Sequence, residues 1–291
     1  MLDRGMGCSH GKIILMGEHS VVYGYSAIAL PLLGIEAICR IQPASQVLTF
    51  DFEDSLSTAV FAALSSLNQL EAKISYKVAS KVPQKRGMGS SAAVSIAAIR
   101  AVYAYFEESL SEETLEQLVH QAEKIAHSNP SGLDAKTCLS DTPIKFSKDT
   151  GFDRLEVALD AYLVIADSGI QGHTREAVNK VARFEETNRP HLVTLGRLAE
   201  QAEAAIQLHQ SREVGRLMNL AHKELMAIGV SLPFVDELVQ EARAAGALGA
   251  KMSGGGLGGC VIALAANLED ARVIREKLFE KGAQQVWIEK V

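Results

Sequence analysis

Hydrophobic and polar positions in the first half of the chain predict strands and helices in mixed order. Short apolar or alternating runs predict strands at residues 12–16, 27–33, 35–41, 47–52 and 73–78, with a break at Pro31 or Gly34. Apolar residues three or four apart predict helices over 55–70, over 94–103 and from 111 to before Asn129, with a short helix or tight turn at 133–138. These elements predict an N-terminal α/β domain over residues 1–155.

The pattern changes near Asp153, where long helical stretches replace the mixed order. A buried strand is predicted at 161–166, and about four helical segments follow over 174–246, with breaks near Pro190, Gln210 and Pro233. Strands at 247–252 and 260–266 flank a glycine-rich loop, a helix capped by Asn267 ends before Gly282, and a last strand covers 285–289. The second domain is therefore predicted over residues 156–291.

A second glycine-rich loop, at residues 83–93, lies between a predicted strand and a predicted helix. Gly87 and Gly89 lack the Cβ atoms that keep an anion from the backbone, and the helix start offers unpaired N–H groups. Ser90 and Ser91 can cap the helix or bind a phosphate oxygen or a metal ion. The loop fits neither the P-loop nor the Rossmann glycine pattern, and an ordinary serine-capped turn explains it equally well on its own.

Three further polar clusters lie where predicted elements end: Lys12 with Glu18 and His19, Glu123 with residues 129–134, and residues 251–259. Phosphoryl transfer needs a phosphate cradle, oxygen ligands for Mg²⁺, a carboxylate near the acceptor hydroxyl and a neutralising cation. The loop at residues 83–93 and these three clusters together contain a residue type for each of these parts.

Each of these residues also has a structural interpretation, which the residues alone leave open. Asp134 can cap a helix, Glu123 can be a solvated or paired surface acid, Lys12 can be an edge-strand charge, and His19 can be a structural histidine. Ser55 is the expected N-cap of the first helix.

Composition excludes several classes of protein. A net charge of −6 argues against nucleic-acid binding, which usually needs a basic face. The four cysteines form no Cys-x-x-Cys pair, which fits a reducing cytosol and gives no zinc signature. No apolar run approaches membrane-spanning length, so a cytoplasmic location without membrane partners is expected.

The motifs together resemble the GHMP kinases. Residues 83–92 match the family signature Pro-x-x-x-Gly-x-Gly-Ser-Ser-Ala, and residues 12–24, 129–134 and 251–260 are specifically similar to the mevalonate kinases within that family. Small departures are Met88, where leucine is commoner, and Leu257 within the glycine run. The resemblance implies a compact, bacterial-type version of the two-domain α+β GHMP-kinase fold. It has a nucleotide- and phosphate-binding N-terminal domain, a ferredoxin-like C-terminal domain and an active site in the cleft.

The resemblance implies ATP-dependent phosphorylation of the primary hydroxyl of mevalonate, with Mg²⁺, in the mevalonate pathway to isoprenoids. Asp134 and Lys12 are implied as catalytic residues, and Ser91 and Glu123 as Mg²⁺ ligands. The implied ATP phosphate-binding residues are Lys85, Arg86, Gly87, Met88, Gly89, Ser90, Ser91, Ala92 and Ser131. The implied substrate-binding residues are Glu18, His19, Thr174, Gly254 and Gly255.

Rival functions and further family traits stay open at this point. The rivals are phosphorylation of phosphomevalonate or another small alcohol, the diphosphomevalonate decarboxylase of the same fold, and a nucleotide- or metabolite-binding regulator. The Glu18–His19 pair suits an uncharged alcohol, and retention of Lys12, Glu123 and Asp134 argues against a pure binder. Family members are often feedback-inhibited by downstream isoprenoid phosphates, and a homodimer is compatible with the resemblance, but no motif reports either property.

Overall fold

The computed structural model of the chain describes residues 5–126, 132–147 and 150–291. These residues group into two compact units. The first unit contains residues up to 12, 31–84 and 89–141, and the second contains 13–30, 85–88 and 142–291. The predicted domain division between residues 155 and 156 stays a prediction. Both units contain helix and sheet, so the predicted mixed fold class is confirmed.

The first unit is built from helices packed on a few strands. Wholly within it lie α1 (Ser55–Ser66), β3 (Ile74–Ser80), α2 (Ser90–Phe106), α3 (Glu112–Ala126) and α4 (Leu133–Leu139). Two long strands, β1 (Met6–Met16) and β2 (Ala27–Pro43), have residues in both units. Here β3 pairs antiparallel with β2 over Ala37–Pro43. The helices bury an apolar core that includes Val60, Leu64, Ile96, Ile99 and Val119.

The second unit contains the remaining elements. In chain order these are a 3₁₀ turn (Ser20–Tyr23), β4 (Ile144–Ser147), β5 (Gly151–Arg154), β6 (Tyr162–Asp167), α5 (Thr174–Arg183), α6 (Glu185–Gln207), α7 (Ser211–Ala227), α8 (Pro233–Ala244), β7 (Gly249–Ser253), β8 (Cys260–Ala265), α9 (Leu268–Glu280) and β9 (Gln285–Lys290). The last four strands form an antiparallel sheet in the order β7-β8-β6-β9. The first residues of β2 pair with β4, and β4 pairs with β5.

Helix α7 covers the outer edge of strand β7. The Asn219 side chain accepts a hydrogen bond from the Ala250 N–H, and a Cβ on Gly249 would lie 1.9 Å from the Gly215 carbonyl oxygen. Glycine at both positions allows this close approach. An edge strand covered in this way does not offer its backbone groups to another chain.

The sequence predicted most elements, and the structure corrects several details. The helix from Asn267 and the strand at 285–289 are confirmed as α9 and β9, with the Asn267 side chain accepting from the Asp270 N–H. At α1 the cap is Asp54, which accepts from the Ser57 N–H, so the predicted Ser55 cap is wrong. Strands β4 and β5 were not predicted; each has four residues, too few for a clear periodic signal.

Two predicted breaks and one predicted strand are wrong for identifiable reasons. β2 runs unbroken through Pro31, which lies outside the stretches paired with β3 and β4, so its missing N–H removes no bond on that side. Pro190 lies in the second turn of α6, where it removes a single hydrogen bond, and the helix break falls at Phe184. Residues 47–52 form no strand, because Phe50 and Phe52 pack edge-on against Phe61 of α1.

Among the described residues, every helix is too short or too polar to cross a membrane.

Candidate active site

The glycine-rich loop leads into α2 through Gly89, which occupies the N-cap position with a left-handed φ of 71°. A Cβ at Gly89 would lie 2.9 Å from both the Lys12 Cγ and the Cys138 Sγ, so conformation and space both require glycine. Gly89 brings no side chain to cap the first turn of α2. The backbone N–H groups of that turn therefore suit an anion.

The hydroxyl groups of Ser90 and Ser91 do not cap helix α2. Helix α2 begins at Ser90, so the predicted capping role of Ser90 and Ser91 is wrong. The Ser90 hydroxyl donates to the Val82 carbonyl over 3.3 Å, and the Ser91 and Ser55 hydroxyls are 2.9 Å apart. Sequence reasoning missed Ser55 as a partner, because 36 residues separate it from Ser91 and no local pattern links them.

Lys12 and Asp134 form an ion pair. The Lys12 Nζ lies 2.7 Å from the Asp134 Oδ1; the lysine side chain is 2% exposed and the aspartate 39%. Gly132 occupies the N-cap of α4 with a φ of 77°, so the alternative interpretation of Asp134 as a helix cap is wrong. A fixed, half-exposed carboxylate beside a buried ammonium group can accept a proton from a substrate hydroxyl.

Glu123 is buried on α3, at 3% exposure, so it is not a solvated surface acid. Burial raises the pKa of Glu123 to about 7, and the Asp134 charge adds to that rise, while the Ser91 hydrogen bond and Lys12 oppose it. Its Oε1 has no hydrogen-bond partner among the described residues. A bound cation would stabilise the ionised form of this buried carboxylate, which burial disfavours.

The donor set fits a small hard cation, but it is incomplete by itself. The Glu123 carboxylate and the Ser91 hydroxyl offer oxygen ligands. Residues 5–126, 132–147 and 150–291 contain no cluster of three or more His, Cys, Asp or Glu side chains that could hold a metal. Mg²⁺ usually takes one or two protein ligands and completes its shell with phosphates and water, so the residues present fit it.

Glu18 lies in the second unit and is buried at 1% exposure. One carboxylate oxygen pairs with the ammonium group of Lys251, which is fully buried, and the other oxygen has no partner among the described residues. Burial lowers the pKa of Lys251, and the charge of Glu18 opposes that shift. The sequence placed Glu18 and Lys251 in two separate polar clusters and did not predict that they pair.

His19 follows Glu18 and has a φ of 61°, which residues other than glycine rarely adopt. Its Nε2 lies 2.9 Å from the Gly255 carbonyl oxygen and so carries the proton, which leaves Nδ1 as a buried acceptor without a partner among the described residues. Burial lowers the pKa of His19 to about 4, so the ring is neutral at pH 7.

Thr174, the first residue of α5, lies against the same glycine as His19. A Cβ on Gly255 would be 2.4 Å from the Thr174 Oγ1. The structure therefore brings three predicted substrate-binding residues of the second unit together around one backbone segment. Gly254, the fourth, lies against Gly87, where an added Cβ would be 3.3 Å from the Gly87 Cα.

The predicted phosphate-binding residues fall into two groups. Gly89, Ser90, Ser91 and Ala92 belong to the first unit and Lys85, Arg86, Gly87 and Met88 to the second, while Ser131 lies outside the described residues. Arg86 is not solvent-directed: its Nε donates to the Asp167 Oδ1 over 2.6 Å and its Nη2 to the Gly169 carbonyl over 3.0 Å.

Two family models match the chain. The model of the GHMP kinases N-terminal domain matches residues 55–141, and that of the GHMP kinases C-terminal region matches residues 202–284.

Known proteins resemble the chain over most of its length. The mevalonate kinase of Pyrococcus horikoshii is 34% identical, with 91% of this chain and 90% of that protein aligned. That of Thermococcus onnurineus is 32% identical over 90% of this chain and 89% of its own length. The crystal structure of L. major mevalonate kinase in complex with R-mevalonate is 27% identical, with a TM-score of 0.87 over 98% of this chain and 95% of that one.

Proposed function

This chain belongs to the mevalonate kinases of the GHMP kinase family, and we propose that it transfers the γ-phosphoryl group of ATP to the primary hydroxyl of mevalonate. The products are 5-phosphomevalonate and ADP, in the mevalonate pathway to isoprenoids. The observation that carries the proposal is the Lys12–Asp134 pair, a half-exposed carboxylate held 2.7 Å from a buried ammonium group.

Asp134 and Lys12 are the proposed catalytic residues. As the substrate oxygen forms its bond to the γ-phosphorus and the bond to ADP breaks, the hydroxyl proton passes to the Asp134 carboxylate. Lys12 stabilises the negative charge on the transferred group. Its alkyl stem packs against the Gly89 position, which supports a fixed location beside the start of α2.

Mg²⁺ is the proposed cofactor, with Ser91 and Glu123 as its ligands. The ion would neutralise charge on the nucleotide phosphates. The unpartnered Oε1 of Glu123 and its pKa of about 7 support this assignment, because a cation would displace the proton and satisfy the buried oxygen. The Ser55 hydroxyl, 2.9 Å from that of Ser91, would help to orient it.

The ATP phosphates are proposed to lie against the glycine-rich loop. The proposed cradle is the backbone at Gly87, Met88, Gly89, Ser90, Ser91 and Ala92 with the positive charge of Lys85, and the family resemblance adds Arg86 and Ser131 to the phosphate-binding residues. The left-handed conformation and missing side chain at Gly89 support close approach of a phosphate to the start of α2.

Mevalonate is proposed to contact Glu18, His19, Thr174, Gly254 and Gly255. Because Nδ1 of the neutral His19 ring can only accept, it suits a substrate hydroxyl rather than a carboxylate. The unpartnered Glu18 oxygen is likewise an acceptor. A cytoplasmic location and inhibition by downstream isoprenoid phosphates are further parts of the proposal, and a homodimer is compatible with it.

A coupled ADP-release assay with Mg-ATP tests the function. The acceptor panel is mevalonate, phosphomevalonate, homoserine, galactose and no acceptor. We expect release with mevalonate alone. Release with a different alcohol would retain the kinase chemistry and overturn the substrate, whereas ATP binding without release in any sample would favour a regulatory binding protein.

A further inference from the structure

The first half of the glycine-rich loop is anchored within the second unit. Residues 85–88 belong to that unit, whereas the chain from Gly89 onward belongs to the first. The Lys85 carbonyl accepts a hydrogen bond of 2.8 Å from the Gly172 N–H, and Gly87 lies against Gly254. The backbone on both sides of Arg86 is thus held in place.

The Arg86 side chain makes the strongest of these attachments. Its guanidinium donates to the Asp167 carboxylate and to the Gly169 carbonyl, and the side chains of Arg86 and Asp167 are 12% and 4% exposed. The same Asp167 oxygen accepts from the Gly169 N–H over 2.8 Å. A guanidinium bonded to two acceptors through its rigid, planar fork holds a defined orientation.

The attachment point is rigid. Asp167 is the last residue of β6, which pairs along its length with β8 on one side and β9 on the other. A strand paired on both edges holds its terminal residue in a defined position. Arg86 therefore fixes residues 85–88 to the end of strand β6.

Lys85 contrasts with its neighbour. Its side chain is exposed, its φ of 56° turns the backbone sharply, and no ion pair of its ammonium group occurs among the described residues. A flexible cation on a backbone fixed by Gly172 can reach an anion without losing an existing partner.

We propose that Arg86 is a positioning residue, which fixes residues 85–88 on the end of β6, and that Lys85 supplies the charge contact of this segment to the nucleotide phosphates. This inference rests on the proposed function, because it concerns how the same loop binds ATP. It assigns different roles to two adjacent basic residues.

A double-mutant cycle tests the positioning role. Arg86→Gln, Asp167→Asn and the double variant are compared for kcat, KM for ATP and melting temperature. We expect each single change to raise the KM for ATP about tenfold, with kcat less affected, and the double variant to be no worse than either single one. Arg86→Lys should not restore the KM, because an ammonium group cannot reproduce the two-point contact.

Lys85→Gln is the matched control. Its effect on KM should add to that of Asp167→Asn and should weaken the dependence of KM on ionic strength. An unchanged KM in Asp167→Asn, or additive effects of the Arg86 and Asp167 changes, would make Arg86 a direct phosphate ligand. Asp167→Asn keeps the acceptor for Gly169, so it serves if the arginine variants do not fold.

The result of the double-mutant cycle can be distinguished from the result of the assay that tests the proposed function. If the wild-type protein turned over none of the acceptors, the kinase proposal would fail, and the same cycle would be measured as the dissociation constant of ATP by calorimetry. Coupled Arg86 and Asp167 effects on that constant would still support positioning, and additive effects would overturn it.

Discussion

Two lysine–carboxylate pairs use the same chemistry in different surroundings. In the first unit Lys12 pairs with Asp134, whose side chain is 39% exposed. In the second unit Lys251 pairs with Glu18, and neither side chain exceeds 1% exposure. A carboxylate that faces solvent on one side can exchange a proton with a substrate, whereas a fully buried pair mainly fixes the chain segments that carry it. Burial, rather than residue type, separates the two roles.

The buried pair should matter most for stability. Lys251→Met leaves the Glu18 charge uncompensated, and breaking a buried pair in this way costs about 3–5 kcal/mol of unfolding free energy. Urea denaturation measures the loss. The double variant Glu18→Gln with Lys251→Met should regain a large part of it, because it leaves no unpaired charge. Lys277→Met, at an exposed pair, is the control and should leave the midpoint unchanged.

If Lys251→Met lowered the free energy of unfolding no more than Lys277→Met does, the buried pair would not stabilise the fold.

The exposed pair should matter most for turnover. Asp134→Asn should lower kcat at least ~10²-fold, the scale of general-base catalysis, with little change in ATP affinity. Steady-state kinetics and calorimetric ATP titration measure the two quantities. Asp141→Asn, at a 91% exposed side chain, is the matched control. Turnover equal to wild type in Asp134→Asn would remove this residue from the mechanism.

The pKa of Glu123 predicts a pH-dependent metal requirement. The pKa of Glu123 in the folded protein is about 7, above its ordinary value of 4.5. Between pH 4.5 and 7 the native state therefore binds more protons than the unfolded state, so the free energy of unfolding falls as the pH rises through this range. A cation must displace that proton. The Mg²⁺ concentration for half-maximal activity should therefore rise about tenfold per pH unit below 7 and level off above it.

Glu123→Gln supplies the comparison for this pH series. The variant should need more Mg²⁺ and lose most of the pH dependence. Superimposable wild-type and variant titrations would exclude Glu123 as the ligand.

The smallest effect concerns Ser55. Ser55→Ala removes the bond that orients the Ser91 hydroxyl and should raise the Mg²⁺ requirement by a few-fold, about the value of one neutral hydrogen bond. Ser66→Ala is the control on the same helix, because its hydroxyl bonds to Tyr103 instead. If both variants had identical Mg²⁺ titrations, Ser55 would play no part in orienting Ser91.

Local patterns were sufficient for much of the fold. Periodic apolar residues located the helices of both units, and Asn267 was identified as a cap because capping depends on residues only three positions apart. The predictions failed where distant contacts override local preference. Phe50 and Phe52 alternate as in a strand, yet they pack on a helix, and Pro31 is tolerated inside β2 because of where its neighbouring strands pair.

By itself, the sequence determined which residue types stand at which motifs: the glycines of the two loops, the acids at Glu123 and Asp134, and the lysines at 12 and 251. Those identities supply the groups that phosphoryl transfer requires, and the resemblance of the motifs to the GHMP kinases selected this function among the alternatives. Only the tertiary structure decided which lysine pairs with which carboxylate, that Arg86 is bonded to Asp167, and that Glu123 is buried. Pairing and burial depend on contacts between residues far apart in the chain, and these contacts set the electrostatic environment that assigns each group its role.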